Sequence, residues 1–200
     1  VFFTLLSLPA TAPSPLAGRK DSQLSQFAKG WAYAKTQKTI ITGYIAAGLV
    51  AILGAPLVQV HIILFSEKIF EVGEFKFGLL MSTYGIGAVT IAPWLAAFGT
   101  RFKKSSLLVG SLALYGCGEL LLTSTKIYYV GLLSIFIVGC AHLIMATTTN
   151  TTLQLFVPEP VRGRVMAMYL MVFTIGAPLG SIIQGPLADQ FGPRRVVAVM

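Results

Sequence analysis

Polar side chains that interrupt long apolar runs are the residues of this sequence whose chemistry could do more than packing. His142, Ala146, Asn150 and Gln154 recur every four residues, so on a helix they would form one stripe. An imidazole and two amides on one face suit the lining of a polar cavity. The alternative for His142 is hydrogen bonding between packed helices. Asn150 and Gln154 lie near the end of their run, which favours capping or anchoring.

Glu119 is the one acidic residue inside an apolar run. It lies roughly 21 Å along a helix from Ser105, at 1.5 Å per residue. Polar groups within hydrocarbon are costly and usually face a cavity or a pathway. A carboxyl group there can exchange a proton with water or a cation that reaches it, and can thereby couple proton movement to another process. The simpler alternatives are contact with interfacial water and a hydrogen bond near Gly116 and Gly118.

The sequence lacks the usual signatures of an enzyme. It has two histidines, no Cys/His/Asp cluster with metal-ligand spacing, and no glycine-rich loop followed by Lys-Ser or Lys-Thr. The stretch "GIGAVTIAP" imitates a dinucleotide fingerprint, but no strand precedes it and no acid follows at the needed spacing. Cys117 and Cys140 are expected to be free, packed thiols. We therefore expect no catalysis, no cofactor and no metal ion.

The composition indicates a lipid environment. Of the 200 residues, 55% are hydrophobic and 11% are charged, whereas soluble domains carry about 25% charged residues. The net charge of +8 would suit nucleic acid only if the basic residues gathered on one face. They lie instead in short connectors between apolar runs, as in the cytoplasmic loops of membrane proteins. A lipid bilayer is therefore an expected partner, and nucleic acid is not.

Five apolar runs are long enough to cross a bilayer, which takes about 20 residues of helix. The predicted fold class is all-α, a polytopic transmembrane helix bundle. Residues 1–15 are expected to be the tail of a preceding helix and a linker, 16–39 a cytoplasmic linker with an amphipathic interfacial helix, and 40–200 a transmembrane six-helix half whose last helix is truncated. The five runs are Ile40–Phe65, Phe77–Phe98, Ser105–Thr123, Ile127–Thr147 and Val165–Ala188.

The basic residues predict the orientation of these runs. Ten of the 15 Lys and Arg residues lie on one set of alternate connectors, which is therefore expected to be cytoplasmic. Arg194 and Arg195 lie on the other side, against the rule. The stretch "TNTTLQLFVPEPVRGRVMA", residues 149–167, is interpreted as a cytoplasmic connector in which Pro158 and Pro160 end one helix.

Gln59 and His61 lie two residues apart and face different directions on a helix, so at most one lines a given cavity. We take Gln59 as the pathway candidate, and the alternative for His61 is that it reaches the outer membrane interface. In the last run, Gly176, Pro178, Gly180 and Gly185 are assigned to helix packing, because small residues four apart let helix backbones approach closely.

A resemblance to a known family is carried by residues 150–180, "NTTLQLFVPEPVRGRVMAMYLMVFTIGAPLG". The run resembles the Asn-x-x-x-Gln, Val-Pro-Glu, Arg-Gly-Arg-Val-Met and Ala-Pro-Leu-Gly run of the major facilitator superfamily, in the bacterial branch that includes the enterobactin exporter and related drug and lysophospholipid transporters. The interfacial helix and "FGLLMSTYGIGAV" are similar too. The resemblance implies the C-terminal half of a twelve-helix transporter in the bacterial inner membrane, whose partner is the missing N-terminal half.

The sequence departs from one signature of that superfamily, a cytoplasmic loop of the type Gly-x-Leu-Ala-Asp-Arg-x-Gly-Arg-Arg. In "FGTRFKKSS", Thr100 stands at the Asp position and Lys103 at the Gly position. A closer copy, "LADQFGPRR" at residues 187–195, lies on the opposite side and is interpreted as repeat symmetry. The resemblance assigns loop and gating roles to Arg101, Lys103, Lys104, Arg162, Gly163 and Arg164.

The function implied by this resemblance is secondary transport by alternating access. We expect proton-coupled export of an amphipathic small molecule of the drug or siderophore type. The alternatives are a lysophospholipid flippase of the same fold, a channel, and a non-transporting membrane scaffold. The residues expected on the substrate or proton pathway are Glu119, His142, Gln59, Asn150 and Gln154.

Overall fold

The computed structural model describes residues 23–199, and within them the chain is helical apart from short connectors. The predicted tail of a preceding helix at residues 1–15 lies outside the described residues. In chain order the elements are α1 (Gln23–Thr36), α2 (Lys38–Leu49), two π-helical turns (Val50–Gly54 and Leu57–His61), α3 (Ile62–Lys68), α4 (Glu74–Phe98), α5 (Lys104–Ser124), α6 (Tyr128–Phe156), α7 (Glu159–Phe191) and α8 (Pro193–Val199).

Five helices of the described residues are long and apolar enough to cross a membrane. The first of these spans, Ile40–Lys68, combines α2, the two π turns and α3, and the other four are α4, α5, α6 and α7. Each overlaps one predicted run, so the prediction of an all-α, polytopic bundle is confirmed. Large apolar side chains such as Val89 and Ile182 remain exposed on the outside of the bundle, as expected where helices face lipid tails.

The last two spans are longer than predicted and almost meet. Helix α6 runs to Phe156 and α7 begins at Glu159, so the predicted connector is helical except for Val157 and Pro158. Val157 has the extended backbone that a following proline favours. Pro160 lies in the first turn of α7, where its missing amide N–H leaves no hydrogen bond unmade. The prediction that Pro160 ends a helix is therefore wrong.

The first span departs from a regular α-helix at its centre. The amide of Ala55 donates to Val50 O over 2.9 Å, a step of five residues. Pro56 has no amide N–H, so the carbonyl of Ile52, four residues earlier, loses its usual partner. The Gln184 side-chain amide of α7 donates to Ile52 O over 2.7 Å and to Leu53 O over 3.2 Å. A side chain from another span thus stabilises the irregular turn.

Two apolar clusters hold the spans together at their two ends. Leu57, Phe65, Leu122 and Ile135 belong to a buried cluster formed by the second π turn, α3, α4, α5, α6 and α8. A second cluster lies at the opposite end, between α1, α2, the end of α6 and the start of α7, and Ala34 of α1 is fully buried in it. Helix α1 is therefore attached to the bundle through its last turns.

Helices α4 and α6 approach each other through two glycines. A Cβ atom at Gly87 would overlap the carbonyl oxygen of Phe136, and a Cβ atom at Gly139 would overlap the carbonyl oxygen of Tyr84. Cys140 Sγ lies 3.1 Å from the carbonyl oxygen of Gly87 and donates a hydrogen bond to it. The two backbones are therefore in direct contact, and any side chain larger than hydrogen at either glycine would separate them.

Candidate functional site

The predicted polar stripe of α6 forms one wall of a pocket of about 390 Å³. His142, Ala146, Asn150 and Gln154 all line it, together with Thr147 and Thr151. The facing wall comes from α7 and is largely aromatic and apolar, formed by Tyr169, Leu170 and Phe173. The pocket therefore offers hydrogen-bonding groups on one side and apolar contacts on the other.

His142 sits among three aromatic rings at one end of this pocket. The ring centroids of Tyr84, Tyr115 and Phe173 lie 5.8, 6.4 and 6.1 Å from that of the imidazole. Its Nδ1 is buried and has no hydrogen-bond partner among the described residues. A buried nitrogen without a partner is unfavourable, and a polar group of a molecule entering the pocket could supply one.

Asn150 and Gln154 also line this pocket. Gln154 Nε2 donates to Asn150 Oδ1 over 2.6 Å, so the two amides bond to each other along the helix face. Gln154 is exposed and Asn150 is half-buried. Both side chains also keep donor and acceptor groups that this bond does not use, and these can face a bound molecule.

Glu119 lies outside the His142 pocket. It is 7% exposed and lines a smaller cavity of about 150 Å³ between α5 and the first span, with Leu49, Leu53, Gly54 and Tyr115. No side-chain hydrogen bond within residues 23–199 involves its carboxyl group, so the predicted alternative of a bond near Gly116 and Gly118 is not observed. Tyr115 lies between the two cavities, because it lines this one and its ring centroid is 6.4 Å from that of His142.

Gln59 and His61 face different surroundings. Ser181 Oγ donates to Gln59 Oε1 over 2.9 Å, and Gln59 is exposed. His61 is fully buried, and its Nε2 lies 2.8 Å from Gln184 Oε1. The alternative that His61 reaches the outer interface is therefore wrong, because the buried amide of Gln184 holds it inside the bundle. Neither residue lines the His142 pocket.

The basic residues assigned to gating make local contacts. Arg162 Nε donates to Val157 O over 3.2 Å, at the end of α6. Lys104 Nζ donates to Gly99 O over 3.3 Å, and the Arg101 guanidinium lies 5.0 Å from the ring centre of Phe98. Lys103 immediately precedes α5. Arg162, Gly163 and Arg164 belong to the first turns of α7, so their assignment to a loop is wrong.

The closer copy of the superfamily signature, at residues 187–195, forms contacts between spans at the end of the bundle opposite to Arg101 and Arg162. Asp189 at the end of α7 forms an ion pair with Lys68 at the end of α3, with 2.8 Å between Nζ and Oδ1. Arg194 Nη2 donates to the carbonyl oxygen of Thr125, which follows α5. Gly192 between them has a φ of +84°, in the region that favours glycine. The charged groups of this stretch thus connect three spans.

The family model described as transmembrane secretion effector matches residues 8–198. The match covers nearly the whole chain and agrees with the observed bundle of membrane-length helices. The chain belongs to this family of the major facilitator superfamily. A comparison with curated proteins gives no match.

Membership of the transmembrane secretion effector family indicates a multi-pass membrane protein with a transport role of the efflux type. It also indicates a transporter rather than an enzyme. The pocket between α6 and α7 and the smaller cavity at Glu119 are therefore candidate parts of a transport pathway. The roles of the residues that line them in transport remain predictions.

The packing residues of α7 divide into two groups. A Cβ atom at Gly176 would lie 2.6 Å from Ala51 Cβ, and one at Gly180 would overlap Ile52 O, so both glycines pack closely against the first span. Pro178 is exposed. A Cβ atom at Gly185 would meet nothing within 4 Å, so the assignment of Gly185 to packing is wrong.

Several residues of the site were missed by reasoning from the sequence. Tyr115, Tyr169, Phe173 and Gln184 line cavities or bind carbonyl groups. Of these, Gln184 carried a usable signal, because an amide inside an apolar run needs hydrogen-bond partners. The aromatic residues carried none, because nothing in the local pattern separates a ring that lines a cavity from one that faces lipid.

Proposed function

We propose that this chain forms the C-terminal six-helix half of a proton-coupled secondary exporter in the bacterial inner membrane. The exporter moves an amphipathic small molecule of the drug or siderophore type by alternating access, together with an N-terminal half of the same protein. The observation that carries this proposal is the pocket between α6 and α7, whose two walls differ in polarity.

The pocket suits an amphipathic substrate because of its composition. His142, Asn150 and Gln154 present hydrogen-bonding groups, whereas Leu170 and Phe173 present apolar surface. The described residues that line it include no Asp, Glu, Lys or Arg. A substrate with a fixed charge would usually need a counter-ion within the membrane, so these residues favour a molecule that is neutral or carries its charge outside this pocket.

Proton coupling is supported by the environment of Glu119. The carboxyl group is buried beside the first span, within a small cavity and without a hydrogen-bond partner among the described residues. A carboxyl group in that setting gains or loses a proton when water reaches it. Because the cavity lies against the irregular part of the first span, a movement of that span would change the access of water to Glu119.

The test is substrate-stimulated proton flux by the full-length protein in proteoliposomes, measured with a pH-sensitive dye inside the vesicles. We expect Glu119→Gln to abolish the substrate-stimulated flux while the protein still inserts and binds substrate. Glu74→Gln, which removes an exposed acid at the start of α4, is the matched control and should keep the flux. Equal flux in the parent and the Glu119→Gln variant would exclude Glu119 as the coupling group.

The same vesicles test the pocket itself. His142→Ala should weaken substrate binding and lower the rate of export. The passive leak of protons across the vesicle membrane should be the same as with the parent protein. If fluorescent lysophospholipid moves between leaflets and drug-like dyes do not, the protein is a flippase of the same fold. Ion currents far above the turnover of a carrier would indicate a channel, and partner binding without any transport would indicate a scaffold.

A further inference from the structure

Tyr115 of α5 lies where the Glu119 cavity meets the irregular part of the first span. Its hydroxyl group donates a hydrogen bond to Gly54 O over 2.7 Å, and its side chain is buried. Tyr115, Gly54 and Glu119 all line the same cavity of about 150 Å³. The proposed function gives a role to Glu119 but none to Tyr115.

The hydroxyl group of Tyr115 replaces a backbone bond that the irregular turn has lost. In a regular α-helix, Gly54 O would accept from the amide of Val58, four residues later. That amide donates instead to Ala55 O over 3.2 Å, next to Pro56, which has no amide N–H. Because a buried carbonyl group without a partner is unfavourable, Gly54 O depends on a donor from another helix.

The contact also depends on the glycine. A Cβ atom at Gly54 would lie 3.0 Å from Tyr115 Oη and 3.1 Å from Tyr115 Cζ, which is closer than ordinary van der Waals contact. The hydroxyl group therefore reaches this part of the backbone because residue 54 has no side chain.

Glu119 offers the same hydroxyl group a second acceptor. It lies one helical turn after Tyr115, so the two side chains share a face of α5. Its buried carboxyl group forms no side-chain hydrogen bond with the described residues, and the Tyr115 hydroxyl group has one hydrogen to donate. A hydrogen bond to an ionised carboxylate is roughly twice as strong as one to a neutral group. The proton on Glu119 therefore decides which acceptor is favoured.

The elements packed around this site carry further titratable or charged side chains, namely Tyr84, His142, His61, Arg194 and Arg195. None of these five lines the Glu119 cavity. His142 lines the transport pocket, with the ring of Tyr84 beside it. His61 bonds to a side-chain amide of α7, Arg194 bonds to a backbone carbonyl group, and Arg195 is exposed. Glu119 is thus the acid that shares a cavity with Tyr115.

We propose that Tyr115 is the positioning residue through which the protonation of Glu119 controls the irregular turn of the first span. While the carboxyl group carries its proton, the Tyr115 hydroxyl group bonds to Gly54 O and holds the turn against α5. Once the proton has left, the carboxylate accepts that hydrogen bond and Gly54 O is released, so the turn can move. All three residues are buried, so this exchange of partners needs no opening toward lipid. The inference rests on the proposed function in taking Glu119 as the group that exchanges the coupled proton.

The test is hydrogen–deuterium exchange of the full-length protein in lipid nanodiscs, followed by mass spectrometry of peptides that cover residues 50–61. Exchange is measured at several pH values between about 4 and 9, a range in which carboxyl groups of proteins release their proton. Each rate is divided by the intrinsic exchange rate at that pH. For the parent protein we expect one step, in which the corrected rate rises by about fivefold with increasing pH. That factor corresponds to the loss of one hydrogen bond of about 1 kcal/mol.

Two variants separate the donor from the acceptor. Tyr115→Phe keeps the ring without the hydroxyl group, so residues 50–61 should exchange about fivefold faster than in the parent at low pH and show no step. Glu119→Gln stays neutral, so it should keep the slow rate at every pH. The matched control is Tyr44→Phe, which removes a buried hydrogen bond of the same kind from the same span, to Val165 O. It should keep the step of the parent.

Three results would overturn the proposal. A step that persists in Tyr115→Phe would show that the hydroxyl group does not transmit the protonation, and one that persists in Glu119→Gln would show that another group triggers the change. The third is the absence of any step in the parent. The measurement needs no substrate, so it can fail separately from the proposed function. If Glu119→Gln loses the step but keeps the substrate-stimulated proton flux, the link to the turn stands and proton coupling through Glu119 is refuted.

Discussion

Gln184 joins groups from two parts of the first span that would otherwise be unpaired inside the bundle. Its amide nitrogen donates to the carbonyl oxygens of Ile52 and Leu53, and its oxygen faces Nε2 of His61. Because the amide oxygen can only accept, Nε2 must carry the hydrogen, which leaves Nδ1 as the unpaired acceptor of a neutral imidazole. One side chain thus determines the tautomer of a buried histidine.

A double-mutant cycle with His61→Phe and Gln184→Leu tests this contact. We expect a coupling free energy of about 0.6 kcal/mol or more, the usual size for a hydrogen bond between membrane helices. The free energy of unfolding would be measured in detergent with increasing sodium dodecyl sulfate. Gln184→Leu alone should destabilise the protein more than His61→Phe alone, because it also leaves two carbonyl oxygens without partners.

The control cycle uses Gln59→Leu and Ser181→Ala, which remove the neighbouring bond between the same two spans. Gln59 is exposed, so its coupling should be smaller. Additive effects in the His61/Gln184 cycle would mean that the bond contributes nothing to stability.

Residue patterns along one helix could be predicted, and contacts between helices could not. The stripe from His142 to Gln154 lines one pocket because side chains four apart necessarily share a helix face. The same reasoning could not locate Glu119 relative to His142, because they lie on different helices. It also misjudged His61, whose partner Gln184 is 123 positions away.

At the scale of the helices, glycines decide how closely two spans approach. Gly87 of α4 lies against the backbone of α6, whereas Gly85, two residues earlier, has nothing within 4 Å of where a Cβ atom would be. The two glycines are equivalent in the sequence pattern, and only their neighbours differ. This makes them a matched pair for measuring the cost of separating α4 from α6.

We expect Gly87→Ala to destabilise the protein by about 1–3 kcal/mol, the usual cost of forcing extra volume into a packed interior. Gly85→Ala should leave stability unchanged or slightly higher, because alanine favours the helix more than glycine does. Thermal unfolding followed by size-exclusion chromatography in detergent would compare the two variants. Equal melting temperatures would show that the backbones of α4 and α6 are not in close contact in the folded protein.

The irregular first span is a property of two helices together. Pro56 removes one amide, and the π turns on either side of it change the direction of the carbonyl groups. Tyr115 of α5 donates a hydrogen bond to Gly54 O over 2.7 Å, and the side-chain amide of Gln184 of α7 donates to the carbonyl oxygens of Ile52 and Leu53. A proline in an apolar run predicts a disturbance, but which side chains satisfy it depends on the helices that pack there.

For the whole molecule, the distribution of charge and the alternation of spans predict which end faces the cytoplasm. Arg101 follows α4 and Lys126 follows α5, so one 21-residue helix separates them. The ends that carry Arg101, Lys103 and Arg162 are expected to be cytoplasmic. The Lys68–Asp189 pair lies at the other end, where both side chains are exposed and contribute little to stability.

Cysteine labelling in intact cells tests this arrangement. In a background with Cys117→Ala and Cys140→Ala, Lys126→Cys should react with a membrane-impermeant maleimide added outside. Arg101→Cys should react only after the membrane is permeabilised. The background without either new cysteine is the control for non-specific labelling. Reaction of both positions from the same side would contradict the spanning of α5, and with it the predicted topology.

The sequence by itself determined that this is an all-α membrane protein, how many membrane-length helices its described residues form, and which face of α6 is polar. These properties follow from composition and from periodicity along a single helix, which need no knowledge of neighbours. Only the tertiary structure decided that this face meets Phe173 across a pocket, that Gln184 binds His61, and that Gly87 contacts α6 while Gly185 contacts nothing. The physical reason is that cavities, hydrogen bonds and close approaches between helices depend on which spans are neighbours and on their rotation, and apolar runs of similar composition do not specify either.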